Sequence, residues 1–319
     1  MGVIGIIILN YNNYEDTFNC IKSIESYNTA TIKYIIVDNG SSRNNTVEEI
    51  SDFVKCNFNG KNLILKEGDA ITYPLPYVTF LYSLTNDGYA QGNNKGLKLA
   101  YQDHSIDNIL IINNDVLFVE DILPQMVKLQ EVLPDCGIIS PVLFKKDLAE
   151  YDYNCARLCE SNWEIIFSYL FWYKDLFGLL TKMKKKRLLL MDETKNKVNK
   201  YIEVETPSGS CMLAKKHLWE IISGFDPNTF LYYEENILFK KLKKINLKNY
   251  VFPSIKCVHL GACSTSKHGK GNYKMTKIKI ESTNYYITQY GEMNALQKII
   301  YSIAKVWINT KLLLIKIIG

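Results

Sequence analysis

An apolar segment that runs directly into a polar turn constrains the fold of this chain most. Residues 34–42 read YIIVDNGSS, an apolar run followed by an acid, an amide, a glycine and two hydroxyls. A continuous apolar run of this kind is typical of a strand covered on both faces, as in a parallel sheet. Open α/β sheets bind ligands at the carboxyl ends of their strands. Asp38 and Asn39 are therefore candidate ligand-binding residues, although a strand-ending Asp-Asn-Gly can also be only a turn.

The same pattern recurs at two other places in the first 116 residues. The apolar run at 3–9 ends in Asn-Tyr-Asn-Asn, and the run at 109–112 ends in Asn113-Asn114-Asp115. Between them, residues 86–97 are rich in glycine and amides, and we predict a loop that leads into a helix through Ala100. Three strands with polar ends indicate a single nucleotide-binding crevice.

Strand and helix patterns alternate along the chain, which predicts an α/β fold with a mostly parallel sheet flanked by helices. We expect strands near 3–9, 33–38, 62–66, 109–112, 137–144, 201–206, 209–213 and 249–252. We expect helices near 14–27, 45–56, 93–102, 121–133, 215–222 and 234–245. Residues 150–200 break the rhythm and are interpreted as a helical insertion.

Composition is consistent with a folded chain and limits its partners. The 319 residues are 47% hydrophobic, which is enough for a core and could form one large or two ordinary domains. The net charge of +5 is concentrated in residues 182–200, with eight Lys or Arg against two acids, and in residues 291–319, with four Lys against one Glu. The rest of the chain is slightly acidic, which argues against a nucleic-acid partner. Both basic segments are also apolar, which indicates contact with an anionic membrane surface.

The cysteines and the N-terminal segment are typical of a cytoplasmic protein. The eight cysteines form no paired CxxC array, so reduced thiols are favoured over a zinc site. The N-terminal apolar run has no basic region before it and ends at Asn10, which indicates a strand rather than a signal peptide. No apolar run reaches about 18 residues, so we expect no conventional transmembrane helix.

Asp115 and His259 are the candidate metal ligands. A single carboxylate can hold Mg²⁺ or Mn²⁺ when phosphate oxygens and waters complete the coordination shell. His259 could supply a second ligand, although a single histidine is more often structural. The residues after it, LGACST at 260–265, describe a loop that could close over a diphosphate.

Glu234 and Glu235 follow an aromatic cluster at the start of a Lys-rich helix pattern. In one interpretation they only stabilise the positive end of the helix dipole, by about 0.3–1 kcal/mol each. In the other, one of them is a general base at the rim of a cleft. Adjacent side chains on a helix diverge by about 100°, so the two carboxylates are expected to have different roles.

Taken together, these segments resemble inverting glycosyltransferases of family 2, which have the GT-A fold, and in particular the rhamnosyltransferase-like bacterial type. The resemblance covers residues 6–265 in a consistent order. The matching segments are IIILNYNN at 6–13, IIVDNGSS at 35–42, NDGYAQGNNKG at 86–96, LIINNDV at 110–116, SGSCML at 208–213, GFDPNTFLYYEEN at 224–236 and HLGACST at 259–265.

The resemblance implies a role for each matching residue. Asp38 would contact the nucleobase, Asp115 would bind the metal, and His259 would lie on the diphosphate or the metal. Glu235 would be the catalytic base, with Glu234 as its partner in the family's acidic pair. The implied nucleotide-sugar-binding residues are Asn10, Tyr11, Asn12, Asp38, Asn39, Asn86, Gly88, Asn93 and Asn114.

The chain departs from the family pattern at four positions. Asn113 stands where the first acid of the metal-binding motif is often found, and Glu235 stands where the family has Asp. Ile237 and Lys241 replace the Asp and Arg that commonly follow the acidic pair. A catalytically inactive GT-A partner of an active transferase is therefore the alternative function. A dinucleotide oxidoreductase is disfavoured because no GxGxxG follows the first strand.

The C-terminal residues have the pattern of a helix lying in a membrane interface. Residues 295–319 carry one polar stripe, formed by Lys298, Ser302, Lys305, Asn309 and Lys316. The other positions are largely apolar and include Ile299, Ile300, Ile303, Trp307, Leu312 and Leu314. Residues 163–180 are a second apolar segment, and they precede the basic run at 181–187. Protein packing or homo-oligomerisation is the alternative for both segments.

These expectations describe a two-part enzyme. We predict a GT-A domain at 1–265, with its insertion at about 150–200, and a helical, membrane-associating segment at 266–319. By the resemblance, the enzyme would use a UDP- or dTDP-sugar with Mn²⁺ or Mg²⁺. It would glycosylate a lipid-linked glycan in cell-surface polysaccharide synthesis, as a peripheral protein on the inner face of the cell membrane.

Overall fold

The computed structural model describes residues 2–43, 45–146, 150–172, 178–191, 201–261 and 273–318. The strands are β1 (Val3–Asn10), β2 (Ile32–Asp38), β3 (Asn62–Lys66), β4 (Val78–Tyr82), β5 (Ile106–Asn113), β6 (Val116–Phe118), β7 (Cys136–Phe144), β8 (Ala156–Arg157), β9 (Ile202–Val204), β10 (Thr206–Pro207), β11 (Cys211–Lys215) and β12 (Lys248–His259). The helices are α1 (Tyr14–Tyr27), α2 (Thr46–Asn57), α3 (Gly88–Gln102), α4 (Leu123–Val132), α5 (Asn162–Leu170), α6 (Leu179–Arg187), α7 (Lys216–Ile221), α8 (Glu234–Lys244), α9 (Tyr273–Tyr290) and α10 (Ala295–Ile318).

The central sheet is parallel on one side and mixed on the other. Strands β3, β4, β2, β1 and β5 are parallel neighbours in that order. Beyond β5 the order continues as β11, β7, β12 and β6, with β11 antiparallel to both β5 and β7. Buried Ile, Val and Leu side chains cover both faces of the sheet as two separate hydrophobic clusters. The predicted fold class, a mostly parallel sheet flanked by helices, is confirmed.

Helix α3 begins earlier than predicted. We expected a glycine-rich loop that leads into a helix near residues 93–102, but the segment is helical from Gly88 onward. Gly92 and Gly96 lie one turn apart and face the sheet, where added Cβ atoms would come within 2.6 Å of Leu9 and Ile7 side chains. The glycines therefore permit close packing of the helix on the sheet, a role that the local sequence pattern does not distinguish from a loop.

Strand β12 extends seven residues beyond its predicted end at Phe252. We expected the strand to stop before Pro253, but the register shifts between Phe252 and Lys256, and pairing with β7 then resumes. A bulge of this kind accommodates a proline that a regular ladder excludes. The extension carries His259 to the same sheet edge as Asp115, because His259 pairs with Val116 of β6. Strands β4 and β6 were not predicted.

The insertion and the C-terminal helices share a third hydrophobic core with α8. Its buried residues come from α5, from Tyr233 and Ile237 at the start of α8, and from α9 and α10. From α10 the buried residues are Tyr301, Ala304, Ile308 and Leu312. Residues 273–318 therefore pack on the same layer as the insertion. Among the described residues, no helix is both long enough and apolar enough to cross a membrane.

Replacement of Gly88 by alanine tests how tightly α3 packs on the segment before α8. Gly88 has φ +85°, and a Cβ there would lie 2.2 Å from the carbonyl oxygen of Phe230. Gly60 has a similar φ of +71°, but a Cβ there would meet open space. We expect Gly60→Ala to cost about 1–2 kcal/mol, the strain of a left-handed backbone alone. Gly88→Ala should cost about 3 kcal/mol or more.

The measurement is the free energy of unfolding from denaturant titration of both variants. Equal losses in the two variants would contradict a close contact between α3 and Phe230.

Candidate active site

Asn10 joins the ends of three strands at the edge of the sheet. Its side chain is fully buried, and its amide Nδ2 donates to Oδ2 of Asp38 at 2.7 Å. Its Oδ1 accepts from Oγ1 of Thr17 at 2.9 Å and from Nδ2 of Asn114 at 3.1 Å. Asn10 therefore connects β1, β2, helix α1 and the turn after β5, and its hydrogen bonds fix how these elements lie at the edge where the sequence predicted a crevice.

Asp38 orders a loop and offers no surface to a ligand. It is fully buried, and it accepts hydrogen bonds from the backbone N and from Oγ of Ser41, at 2.9 and 2.5 Å. Burial raises the pKa of Asp38, and the hydrogen bonds from Ser41 and Asn10 oppose that rise. Protein donors surround the Asp38 carboxylate in this structure, and its direct contact with a nucleobase stays a prediction from sequence.

Most of the other predicted nucleotide-sugar residues form a scaffold around the same edge. Nδ2 of buried Asn39 donates to Oδ1 of Asn86 and to the carbonyl of Gly88, each at 3.0 Å. Buried Asn93 donates to the carbonyl of Tyr89 one turn earlier. Oδ1 of Asn12 accepts from the backbone N of Ser42 and Arg43, at 2.8 and 3.0 Å.

Tyr11 differs from these scaffold residues. Its side chain is 39% exposed, the highest exposure in the predicted set. Its aromatic ring can therefore meet a ligand face directly.

Asp115 and His259 come together as predicted. Nε2 of His259 lies 3.5 Å from Oδ1 of Asp115, and the backbone N of Leu260 donates to the carbonyl of Asp115 at 2.9 Å. A separation of 3.5 Å is an ion-pair contact rather than a good hydrogen bond. Oδ1 of Asp115 is buried and has no hydrogen-bond partner among the described residues. The hydrogen-bonding capacity of this oxygen is therefore unused within the described residues, and it lies in ion-pair contact with Nε2 of His259.

Asp152 contacts the other side of His259, and no sequence pattern indicated this residue. Nδ1 of His259 lies 3.2 Å from Oδ2 of Asp152, which is 107 residues away in the insertion. Burial lowers the pKa of His259, but the carboxylates of Asp115 and Asp152 outweigh that effect and raise the pKa to about 9. A carboxylate on one ring nitrogen fixes the orientation of the ring and directs the other nitrogen to Asp115.

The turn before β11 connects the Asp115–His259 corner to the acidic pair. It consists of Ser208, Gly209 and Ser210. The backbone N of Gly209 donates to Oε1 of Glu235 at 3.0 Å. Oγ of Ser210 lies 3.3 Å from Nε2 of His259. Oη of Tyr89 donates to the carbonyl of Gly209 at 2.6 Å, which holds the turn against α3. Adjacent residues of one turn therefore touch the predicted base and the predicted metal ligand.

Glu234 and Glu235 both line a cavity of about 410 Å³. The other residues around it are Tyr89, Asn113, Arg157, Glu160, Arg187, Thr206, Gly209, Ser210, Leu231, Tyr232, Tyr233, Asn236 and Lys279. Tyr232 and Tyr233 precede the pair with φ of +78° and +71°. Two consecutive bulky residues in the left-handed region are strained, and such strain is concentrated at functional sites. The geometry therefore supports a functional role for the pair over a purely helix-stabilising one.

The two carboxylates differ in environment. Glu234 is buried, and its Oε1 has no hydrogen-bond partner within the described part of the chain. Burial, together with the charge of Glu235, raises the pKa of Glu234 to about 8. Near neutral pH the neutral form of the Glu234 carboxyl is therefore favoured. Glu235 differs in its contacts, because its Oε1 accepts a hydrogen bond from the backbone N–H of Gly209.

The sequence predicted Asp115 and His259 as the metal ligands at this edge, and the structure places the two side chains 3.5 Å apart. In the described ranges, no three His, Cys, Asp or Glu side chains converge as a preformed metal site. Two protein ligands suit a Mg²⁺ or Mn²⁺ ion that keeps waters and takes phosphate oxygens. The same finding gives no support to the zinc alternative; Cys263 and the rest of the predicted diphosphate loop at 262–265 lie outside the described residues.

Substitution of Glu234 should change how stability depends on pH. Because its pKa is raised from 4.5 to about 8, the neutral form fits the fold. The contribution of protonated Glu234 to the free energy of unfolding is therefore fully present below about pH 4.5 and is lost as the pH rises toward 8. Glu234→Gln has no such titration, so its melting temperature relative to the wild type should rise between pH 5 and pH 8.5. The control is Glu131→Gln, which changes an exposed residue of α4. A difference in melting temperature that does not vary with pH for Glu234→Gln would contradict the raised pKa.

The comparisons with known proteins agree with this geometry. Residues 5–221 match the family model described as "Glycosyl transferase family 2". The chain is 23% identical, over 232 residues, to the low-salt glycan biosynthesis hexosyltransferase Agl10 of Haloferax volcanii. The alignment covers 73% of this chain and 59% of Agl10, so this chain spans about three fifths of that relative's length.

Two solved structures share the fold. The mannosyltransferase PcManGT from Pyrobaculum calidifontis, in complex with GDP-Man and Mn²⁺, gives a TM-score of 0.56 at 15% identity, covering 95% of this chain and 69% of that one. GalNAc-T7 with UDP, GalNAc and Mn²⁺ gives a TM-score of 0.58 at 10% identity, covering 96% of this chain and 56% of that one. At these identities the likeness is one of fold.

Proposed function

The chain belongs to glycosyltransferase family 2, and we propose that it transfers a sugar from a nucleoside diphosphate to an acceptor hydroxyl, with inversion at the anomeric carbon. The observation that carries this proposal is the turn at 208–210. It holds Glu235 through Gly209 and touches His259 through Ser210. The proposed base and the proposed diphosphate corner therefore contact adjacent residues of one turn, which is close enough for a single displacement at the anomeric carbon.

We assign the donor to the sheet edge and the acceptor to the cavity. The exposed ring of Tyr11 would lie against the nucleobase, and the scaffold around Asn10 would keep the crevice open. The diphosphate would lie at Asp115 and His259, which would hold a divalent Mn²⁺ or Mg²⁺. The bound ion would stabilise negative charge that develops on the leaving diphosphate. Both fold neighbours contain Mn²⁺, which supports the assignment.

Glu235 would act as the general base. Its carboxylate is held by the Gly209 amide and lines the cavity, so it can accept the proton of an attacking hydroxyl. Protonated Glu234 would keep a second negative charge away from the nucleophile. Glu235 is one methylene longer than the Asp of the family pattern, and the amide of Gly209 fixes the position of its Oε1.

The finer substrate assignments are also proposals. The donor would be a UDP- or dTDP-activated hexose or deoxyhexose, and the rhamnosyltransferase-like subtype remains a prediction from sequence. The name of Agl10 supports a glycan acceptor. We propose that the acceptor is lipid-linked and that the product enters a cell-surface polysaccharide such as a capsule or O-antigen.

Substitutions of Glu235 and Asp115 should have separable effects. Glu235→Gln keeps the shape but cannot take up a proton, so transfer should fall by about 10²–10⁴-fold while donor affinity stays within a few-fold. Asp115→Asn should instead abolish the gain in donor affinity that Mn²⁺ produces. The measurements are donor hydrolysis and transfer rates, together with UDP binding with and without Mn²⁺.

The contrary outcomes are specific. If Glu234→Gln is inactive and Glu235→Gln is active, the roles of the two carboxylates are reversed. If the wild type binds UDP but neither hydrolyses nor transfers from any UDP- or dTDP-sugar, the inactive-partner alternative replaces this proposal.

We propose that α10 binds the anionic lipid surface on the inner face of the cell membrane. One face of the helix packs in the third core. Leu312 is buried there and Ile300 is partly buried, although the sequence pattern predicted that both contact the membrane. The face away from the core carries exposed apolar side chains, namely Leu296, Ile299, Ile303, Val306, Trp307, Leu313 and Leu314. Lys298 and Lys316 are exposed as well, and Nζ of Lys311 lies 4.5 Å from the Trp307 ring centroid.

The charges favour a lipid surface over a second copy of the chain. Helix α10 contains four lysines and no acid. Two such helices pairing through their apolar faces would place lysines beside lysines, which is unfavourable. Anionic lipid headgroups would instead attract each lysine by about 1 kcal/mol.

Co-sedimentation with vesicles tests the membrane proposal without disturbing the core. We expect the wild type to bind phosphatidylglycerol vesicles and to bind them more weakly at high salt, because salt screens the lysine charges. We expect no binding to phosphatidylcholine vesicles, which carry no net charge. The triple variant Ile303→Gln/Val306→Gln/Leu313→Gln should stay in the supernatant. A matched control changes three exposed apolar residues elsewhere, Leu84, Val132 and Ile221, to Gln. The membrane proposal is contradicted if the wild type stays in the supernatant in the presence of the vesicles. If the wild type also self-associates and the triple variant does not, this face of α10 is a contact between copies of the chain.

A further inference from the structure

The catalytic cavity contains a guanidinium group that the proposed reaction does not use. Arg157 lies on β8 in the insertion and lines the same cavity as Glu234 and Glu235. Its partner across the ladder is Thr206, three residues before the Gly209 amide that holds Glu235. Arg157 is therefore on the cavity wall that carries the proposed base.

The neighbouring arginine is already neutralised, and Arg157 is not. Arg187 donates to Glu160 at 3.1 Å and to Glu164 at 2.9 Å. The guanidinium of Arg157 makes no ion pair and no hydrogen bond with the described residues, and its Nε is buried without a partner. A buried donor without a partner is costly, so a position that keeps one is suited to a ligand that supplies the acceptor.

Two of the carboxylates that line the cavity have contacts with groups other than Arg157. The carboxylate of Glu160 is shared between Arg187 and the hydroxyl of Tyr233, at 3.1 and 2.5 Å. Glu235 is engaged by the Gly209 amide. Lys279 of α9 also lines the cavity and adds positive charge to it. A planar guanidinium fork matches the paired oxygens of carboxylates and phosphates.

We propose that Arg157 binds an anionic group, a phosphate or a carboxylate, on the acceptor. The acceptor would be an acidic or phosphorylated glycan, oriented by this contact so that its hydroxyl reaches Glu235. The proposal rests on the proposed function for the identity of the molecule that carries the anion. The donor diphosphate is assigned to a different place, at Asp115 and His259. Ser210 lines the cavity and contacts His259, so it lies between the two sites.

Binding of three soluble probes tests the proposal. The probes are methyl glucuronide with a carboxylate, glucose 1-phosphate with a phosphate, and neutral methyl glucoside. Titrations are made with saturating UDP and Mn²⁺, so that the donor site is occupied. We expect at least one anionic probe to bind the wild type at least tenfold more tightly than methyl glucoside. The anionic probe that binds tightly indicates whether the natural anion is a uronate or a phosphate.

Variants of Arg157 separate this role from a structural one. Arg157→Gln should remove the advantage of the anionic probe and leave UDP and methyl glucoside binding unchanged. Arg157→Lys should restore part of the advantage, because it keeps the charge without the fork. The control is Lys215→Gln, an exposed cation on β11 outside the cavity, which should change nothing.

Three results would overturn the proposal. They are equal binding of all probes by the wild type, an unchanged preference in Arg157→Gln, and a loss of UDP affinity in Arg157→Gln, which would assign the arginine to the donor. Circular dichroism of each variant checks the fold, and Arg157→Lys remains informative if the glutamine variant unfolds. UDP binding in the wild type is scored separately, so a failure of the proposed function is distinguishable from a failure of this inference.

Discussion

The buried hydrogen bonds of Asn10 are the constraint on which the rest of the site depends. A parallel sheet brings its strand ends to one edge, but it does not by itself fix how far apart the loops after those strands lie. The Asn10 side chain bonds to Asp38, Thr17 and Asn114, so the ends of β1 and β2, the start of α1 and the turn after β5 have one arrangement. Loss of one partner would leave the others buried and unsatisfied, which costs more than the bond itself contributes.

The third hydrophobic core connects the acidic pair at the start of α8 to the C-terminal helix α10. The acids lie at the start of α8, and Tyr233 and Ile237 of this segment pack in the same core as α5, α9 and α10. The proposed membrane helix therefore rests on the residues that position the proposed base. The strained backbone at Tyr232 and Tyr233 is maintained by this packing and by the hydrogen bond from Tyr233 to Glu160.

Much of the parallel half of the sheet was predictable because its signals are local. Runs such as IIVD at 35–38 are apolar on both faces and end in polar residues, which is a property of four to eight consecutive positions. The family followed from several such segments in order, and the match over residues 5–221 confirms it. The predictions failed where a distant contact decided the outcome. The first turn of α3 reads as a loop until the sheet beneath Gly92 is known, and β12 continues past Pro253 because β7 and β6 pair with it.

The sequence by itself determined which residue types stand at the strand ends, and with them the family and the identity of the acidic pair and of the Asp115–His259 corner. Tertiary structure alone decided what each of these residues faces. Asp38 hydrogen-bonds to Ser41, Asp152 contacts His259 from 107 residues away, and Arg157 lines the cavity with its Nε unpaired among the described residues. The physical reason is that burial and charge pairing depend on neighbours in space. A pattern of a few consecutive residues specifies a strand and its end, but the side chains that will surround that end come from other parts of the chain.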